Sequence, residues 1–219
     1  MKALITGCNR GIGLELAKQL KAKGYEIYAI CRTNSDELKT VSNHIFDNVD
    51  VTNFNQIKEI SDKLKSTKFD LIINNAGVLL PTSLSDLNVE NINTMFQVNA
   101  VAPLVLTQEF LGNLEEGSKV AMITSRMGSI EDNTSGGQYG YRMSKCALNI
   151  AGKSLAEDLK DKKIAVGLFH PGFVNTRMVN FNGQIDPDES AQGIVKQIEK
   201  LTMENSGGFW HSNGERLPW

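Results

Sequence analysis

Short aliphatic runs alternate with amphipathic stretches from end to end of this chain, and that alternation leaves few folds open. Ala3–Ile5, Ile27–Cys31, Leu71–Ile73, Val120–Thr124 and Ala165–Phe169 are apolar runs bounded by Gly, Asn, Ser or Pro, the signature of buried strands. Ile45–Val49 is a weaker strand candidate. Between them, Gly13, Leu16, Ala17 and Leu20 follow helical spacing, as do Phe54, Ile57, Ile60 and Leu64, and then Leu148, Ala151, Leu155 and Leu159. A last helix, Pro187–Leu201, has Asp186 as N-cap, Pro187 in its first turn, Glu189 three residues after the cap, and an apolar stripe of Ile194, Ile198 and Leu201. Strands apolar on both faces, separated by helices, predict an α/β fold with a parallel sheet covered on both sides. No linker, repeat or composition break interrupts residues 1–219, so one domain is expected, with Ser135-Gly136-Gly137 only a loop.

Composition excludes several functions. Lys and Arg number 23 against 25 Asp and Glu, a net charge of −2, so no basic excess is available for a nucleic-acid backbone. The longest apolar run, Ala100–Leu106, contains Pro103 and is too short to span a membrane. Residues Met1–Ile5 do not read as a secretory leader. Cys8, Cys31 and Cys146 are odd in number and unpatterned, which predicts reduced thiols, a cytoplasmic setting and no metal site.

The first strand runs into Thr6-Gly7-Cys8-Asn9-Arg10-Gly11-Ile12-Gly13 and then a helix. Glycines here permit a tight turn and close approach of backbone N–H groups to a pyrophosphate, while the helix N-terminus adds its dipole. At the first strand of an alternating α/β chain this predicts a Rossmann-type doubly wound sheet that binds a dinucleotide. Arg32 follows the second strand, Ile27–Cys31, at the place where an acidic residue would hold the ribose 2′-OH of NAD; Asp36 and Glu37 come too late. Arg32 and Arg10 are either solvated surface arginines or ligands for a 2′-phosphate, and together they favour NADP.

Tyr141 and Lys145 lie four apart on one face of a predicted helix. An ammonium beside a phenol favours the phenolate and brings it toward acid–base use. Such a pair is by itself common on helix surfaces. Ser125 follows the strand Val120–Thr124, at the end of the sheet where ligands bind, and its hydroxyl suits a carbonyl oxygen, with Ser129 as a second contact. His44, His170 and His211 lack partners for hydrolytic chemistry, and His170, at a strand end before Pro171, reads either as a cleft residue or as a packed, satisfied histidine. Asn99 precedes Pro103 by four residues, so its carbonyl loses its helical donor. Either the helix continues with a kink, freeing that carbonyl to hold a water near Lys145, or it ends near Ala100 and restarts at Pro103.

Taken together, Thr6-Gly7-x-x-x-Gly11-Ile12-Gly13, Asp50-Val51, Asn74-Asn75-Ala76-Gly77, Asn99, Ser125, Tyr141-x-x-x-Lys145 and Pro171-Gly172 resemble the short-chain dehydrogenase/reductase family over the whole length. Tyr141-Arg142-Met143-Ser144-Lys145 and Gly214–Trp219 are most similar to the sniffer-like carbonyl reductases and C-factor-like proteins within it. The resemblance implies that Tyr141 is the proton donor in carbonyl reduction, Lys145 binds the nicotinamide ribose, Ser125 orients the carbonyl and Asn99 holds a relay water. It further implies cofactor contacts from Gly7, Asn9, Arg10, Gly11, Ile12, Gly13, Arg32, Asp50, Val51, Asn75, Ala76, Gly77, Pro171, Gly172, Val174 and Thr176, with Asn75 and Gly77 open to a purely structural reading.

The function so implied is NADPH-dependent reduction of a ketone or aldehyde. The alternative is an NADP-binding regulatory or signalling protein with little turnover. Leu79, Leu80, Met127, Phe173, Met178 and Phe181 are candidate walls for an apolar carbonyl substrate. The spacing from Ser125 to Tyr141 exceeds the family's commonest by a few residues, predicting a swollen Glu131–Gln138 loop, and the short Val179–Ile185 segment predicts an open pocket. Homodimer, homotetramer and monomer all stay open, the helix after Tyr141 and Pro187–Leu201 being where relatives pair.

Overall fold

The computed structural model describes residues Met1–Trp219. Seven strands form one sheet in the order β3-β2-β1-β4-β5-β6-β7: β1 (Lys2–Thr6), β2 (Glu26–Ile30), β3 (His44–Phe46), β4 (Phe69–Asn74), β5 (Leu114–Ile123), β6 (Ala165–His170) and β7 (Gly208–His211). All six pairings are parallel. The doubly wound sheet expected from the apolar runs is therefore present. β7, an edge strand, is an addition to those runs.

Alternate strand residues go to opposite faces and into two cores. Ala3 and Ile5 of β1, Leu71 and Ile73 of β4, and Ala121 and Ile123 of β5 pack under helices α1 (Gly11–Ala22), α2 (Asp36–Val41) and α7 (Pro187–Lys200). Leu4, Ile72, Val120 and Met122 face the other way, toward α3 (Phe54–Lys63), α5 (Ala102–Glu109) and α6 (Tyr139–Asp158). Period-two alternation with both faces apolar makes each strand a continuous hydrophobic run.

α4 (Val89–Phe96) continues through a π turn (Gln97–Val101) directly into α5. Within the turn the Ala102 N–H reaches the Gln97 carbonyl, five residues back. Pro103 has no N–H to give Asn99, so the ladder slips by one at that point. Of the two readings of this segment, the continuous, distorted helix is the one observed. At α7, Asp186 occupies the N-cap position with Pro187 behind it, but its carboxylate makes no capping bond and instead accepts from Asn175 Nδ2 at 3.5 Å.

The strand order reverses between β1 and β4, so the loops leaving these two strands part and open a crevice at the strand ends. No helix is long and apolar enough to cross a membrane.

Candidate active site

A cleft of about 1170 Å³ occupies that crevice. One side is the glycine turn between β1 and α1. Thr6 Oγ1 accepts from the backbone N–H of Asn75 and of Ala76, both at 3.0 Å, and Asn75 Nδ2 donates back to the carbonyls of Thr6 (3.0 Å) and Gly7 (3.1 Å). This clasp leaves no room for side chains. A Cβ on Gly13 would lie 2.4 Å from Asn75 Nδ2, and one on Gly7, which also has φ +66°, would lie 2.9 Å from Ala76 Cα. The N-terminus of α1 has no side-chain cap and no acidic residue in its first turn. Its N–H groups are left for an anion.

Gly7, Asn9, Arg10, Gly11, Ile12 and Gly13 line the cleft, as do Arg32, Asp50, Val51, Asn75, Ala76 and Gly77, and further along Tyr141, Lys145, Pro171 and Thr176. Asp50 Oδ1 accepts from the Thr52 N–H (2.9 Å) and hydroxyl (2.7 Å), and those bonds, helped by Arg32, hold its carboxyl below the usual carboxylate range. Asp36 and Glu37 sit in the first turn of α2, turned to Lys39 and Lys18, and are not part of the cleft wall. This part of the cleft wall therefore combines two arginines with one hydrogen-bonded aspartate. A guanidinium pair of this kind fits a 2′-phosphate, and the uncapped helix end fits a pyrophosphate.

Deeper in, Tyr141 and Lys145 line the cleft, whereas the predicted site residues Ser125 and Asn99 are buried outside its lining. Tyr141, on the first turn of α6, is 9% exposed, Ser125 6%, Lys145 4% and Asn99 0%. The Lys145 Nζ donates to the Ile123 carbonyl at 3.0 Å and lies 5.8 Å from the centre of the Tyr141 ring. Burial pushes the Tyr141 phenol up to about 12, opposed by a hydrogen-bonding interaction with the Ser125 side chain. Burial pulls the Lys145 ammonium down to about 8. In the free protein desolvation thus outweighs the Ser125 contact and the phenol stays neutral, contrary to the sequence-based expectation that the ammonium favours the phenolate. A neutral phenol is held ready as a donor.

Asn99 does not border the cleft. Its Oδ1 accepts from the Val78 N–H (2.8 Å), while its Nδ2 donates to the Val78 carbonyl (2.9 Å) and to Ser144 Oγ (3.0 Å). Ser144 in turn donates to the Tyr141 carbonyl at 2.8 Å. Nothing in the sequence pattern marks Ser144, because no local feature reveals that α6 faces the π turn. Ser125 begins a 3₁₀ turn (Arg126–Gly128), its Oγ accepting from the Met127 N–H at 3.2 Å. That turn lies flat on α6 because Gly128 has no side chain; a Cβ there would sit 2.7 Å from the Lys145 carbonyl carbon.

Several expectations need correction. Gly172 and Val174 are set back from the cleft: Gly172, at φ +91°, abuts Ile185, and Val174 is buried in a bridge to Ile185. Leu79, Leu80, Met178 and Phe181 line the cleft, whereas Met127 and Phe173 do not. The short Val179–Ile185 segment is itself folded. It folds back through Phe181 N–H to Thr176 O (2.9 Å) and Gln184 N–H to Phe173 O (2.7 Å). His170 is packed edge-on against His211, with ring centres 4.9 Å apart, but its buried Nδ1 has no partner, and burial with neighbouring cations drives its pKa down to about 3. Unforeseen too is the anchoring of the loop after Ser125, where Arg126 pairs with Asp132 (2.9 Å) and with Glu215 (3.2 Å). All three cysteines are free.

A family model described as short chain dehydrogenase matches residues 1–186. The chain belongs to the short-chain dehydrogenase family. This short-chain dehydrogenase is 35% identical over 222 residues to 1-hydroxy-2-glutathionyl-2-methyl-3-butene dehydrogenase of Rhodococcus sp. (strain AD45), covering 99% of this chain and 98% of the relative. It is 40% identical over 153 residues to C-signal of Myxococcus xanthus, covering 68% of this chain and 92% of the relative. Its backbone is similar to that of the carbonyl reductase Sniffer of D. melanogaster, with TM-score 0.92, 30% identity, and 100% and 99% of the two chains covered. It is also similar to an NADPH-bound carbonyl reductase from chicken fatty liver, with TM-score 0.89, 27% identity, and 100% and 98% covered. The likeness to Sniffer-type reductases and to a C-factor-like protein, expected from Tyr141–Lys145 and the Gly214–Trp219 ending, is found.

Proposed function

We propose that this oxidoreductase is an NADPH-dependent carbonyl reductase acting on a small ketone or aldehyde. The observation that carries the reading is a buried, protonated Tyr141 phenol in contact with Ser125 and beside Lys145, in a cleft whose far end carries Arg10 and Arg32. Solved relatives of this backbone include carbonyl reductases, one with NADPH bound, and the Rhodococcus relative is by name a dehydrogenase of a hydroxy compound, the same bond change in reverse.

The glycine turn and the α1 N-terminus would hold the cofactor's pyrophosphate. Asp50 and Val51 would flank the adenine, Arg10 and Arg32 would take the 2′-phosphate, Lys145 would hold the nicotinamide ribose, and Thr176 and Pro171 would border the ring. When bound, the reduced nicotinamide supplies the hydride. Ser125 donates to the carbonyl oxygen and stabilises charge gathering there. Tyr141 transfers its proton to the same oxygen, and the Lys145 ammonium stabilises the phenolate left behind. Asn99 and Ser144 fix the backbone around this centre. A purely regulatory role would leave the burial of a neutral phenol and a lysine against each other without use.

Purified protein mixed with NADPH and a panel of aromatic aldehydes, quinones and diketones should consume the reduced cofactor, followed by its absorbance, with NADH far less effective. Tight NADPH binding without consumption across the panel would overturn the reading in favour of a binding protein.

A further inference from the structure

The chain has six arginines, and their engagements divide them. Arg126 is ion-paired to Asp132 and Glu215. Arg142 donates to the carbonyls of Gly136 and Gly137 (both 3.2 Å) and to Ser135 Oγ (2.8 Å). Arg216 lies over the Trp210 ring at 5.9 Å. Arg10, Arg32 and Arg177 make no ion pair or side-chain hydrogen bond within the protein, and all three line the cleft. Against these and Lys145, the cleft wall contains a single carboxylate, Asp50, in a chain whose net charge is −2.

Arg10 and Arg32 serve the adenosine end. Arg177 belongs elsewhere, on a short turn (Arg177–Val179) with Met178 and Phe181, the apolar part of the wall. The turn is fixed. Asn175 N–H donates to Ile185 O at 2.8 Å, Asn180 and Phe181 hold left-handed φ values of 51° and 58°, and Gly183 is pressed onto the Asn175 backbone so closely that a Cβ would lie 2.1 Å from its nitrogen. The guanidinium therefore hangs from a preorganised support. The pyrophosphate site already has the uncapped α1 N-terminus, and it is Thr176, not Arg177, whose methyl lies over Gly11.

We propose that Arg177 binds a carboxylate on the substrate, so that the enzyme selects anionic carbonyl compounds over neutral ones of the same shape. This rests on the carbonyl-reductase reading and replaces the purely apolar substrate expected from the sequence. A substrate closing over Arg177 strips water from it. A neutral apolar group there leaves the cation unpaired, whereas a carboxylate accepts two parallel N–H bonds from its planar fork. Leu79, Leu80 and Phe181 would then pack on the body of the substrate between its carbonyl and its acid.

The test compares aldehydes that differ only in charge. 4-Carboxybenzaldehyde is paired with its methyl ester, and 3-(4-formylphenyl)propanoate with its methyl ester, under saturating NADPH. In the unaltered enzyme at least one acid should exceed its ester in kcat/KM by about tenfold, the worth of one charge-assisted contact. Arg177→Gln should abolish that preference and Arg177→Glu should invert it, while turnover of the esters and the Kd for NADPH stay within about twofold. Ester turnover doubles as the check that the variants fold. Equal rates for acid and ester in the unaltered enzyme would overturn the proposal while leaving carbonyl reduction standing. A loss of NADPH affinity in Arg177→Gln matching the loss of rate would overturn it by assigning Arg177 to the cofactor. If no aldehyde is reduced, the carbonyl-reductase reading fails instead, and quenching of bound NADPH fluorescence by the same acids and esters decides the proposal: acids binding about tenfold tighter, through Arg177, uphold it, and equal binding overturns it.

Discussion

Asn99 Nδ2 donates to Ser144 Oγ across 3.0 Å and so ties the π turn between α4 and α5 to the first turns of the helix that carries Tyr141 and Lys145. Both residues are fully buried, and each bond of the chain from Val78 through Asn99 and Ser144 to the Tyr141 carbonyl is satisfied. Ser144→Ala leaves one Asn99 N–H buried without an acceptor, at a cost of about 1–3 kcal/mol. For a chain of this length the midpoint of thermal unfolding should fall by roughly 2–10 °C. An unchanged midpoint would mean that the Asn99 amide finds another partner.

Gly128 sets how closely the Ser125 turn lies on α6. Gly128→Ala places a methyl 2.7–2.9 Å from the Lys145 carbonyl group and Asn149 Nδ2, so the turn must lift and take the Ser125 hydroxyl with it. Displacement of a catalytic group by about 1 Å costs on the order of 10²-fold in rate. Steady-state kinetics should show kcat reduced by about that factor, with the Kd for NADPH unchanged because the glycine turn of β1–α1 is untouched. Full activity in this variant would separate Ser125 from the chemistry.

Much of this was legible in the residues. The five apolar runs mark strands, because a strand buried on both faces carries few polar side chains. The distortion at Asn99 was legible because Pro103 lacks an N–H, a purely local cause. β7 escaped notice since Gly208–His211 is four residues on a sheet edge and only half buried. α2, six residues long, has just Leu38 and Val41 facing inward, too few to show a period. The family resemblance puts Gly172 and Val174 in the site, but a left-handed turn and a bridge to Ile185 point them away. Ser144 and the Arg126–Glu215 pair depend on how helices and loops far apart in sequence meet, which no local pattern encodes.

The pKa of Lys145 gives a pH dependence with a definite sign. Its folded value, about 8, lies below the unfolded lysine value of 10.5. A depressed value means the contribution to stability is present above the unfolded pKa and is lost as pH falls through the folded one. Relative to Lys145→Met, the unaltered protein should therefore gain stability as pH rises from about 8 to about 10.5, by about 3 kcal/mol at most. Urea unfolding of both proteins at pH 7.5 and pH 10.5 checks this. A stability difference independent of pH would show that the ammonium is not desolvated.

Cofactor choice should follow the two arginines at the adenosine end. Arg32→Ala and Arg10→Ala each remove a charge-assisted contact to a 2′-phosphate, raising KM for NADPH by about tenfold or more and leaving KM for NADH nearly unchanged. Equal effects on both cofactors would make these arginines general surface charges instead.

The central claim is that Tyr141 delivers the proton, and single-turnover reduction of an accepted aldehyde by Tyr141→Phe tests it most directly. Phenylalanine keeps the buried ring and removes only the hydroxyl. The rate of NADPH oxidation should drop by about 10²–10⁴-fold while NADPH still binds with its original affinity. A variant that oxidises NADPH at close to the original rate would contradict the claim outright.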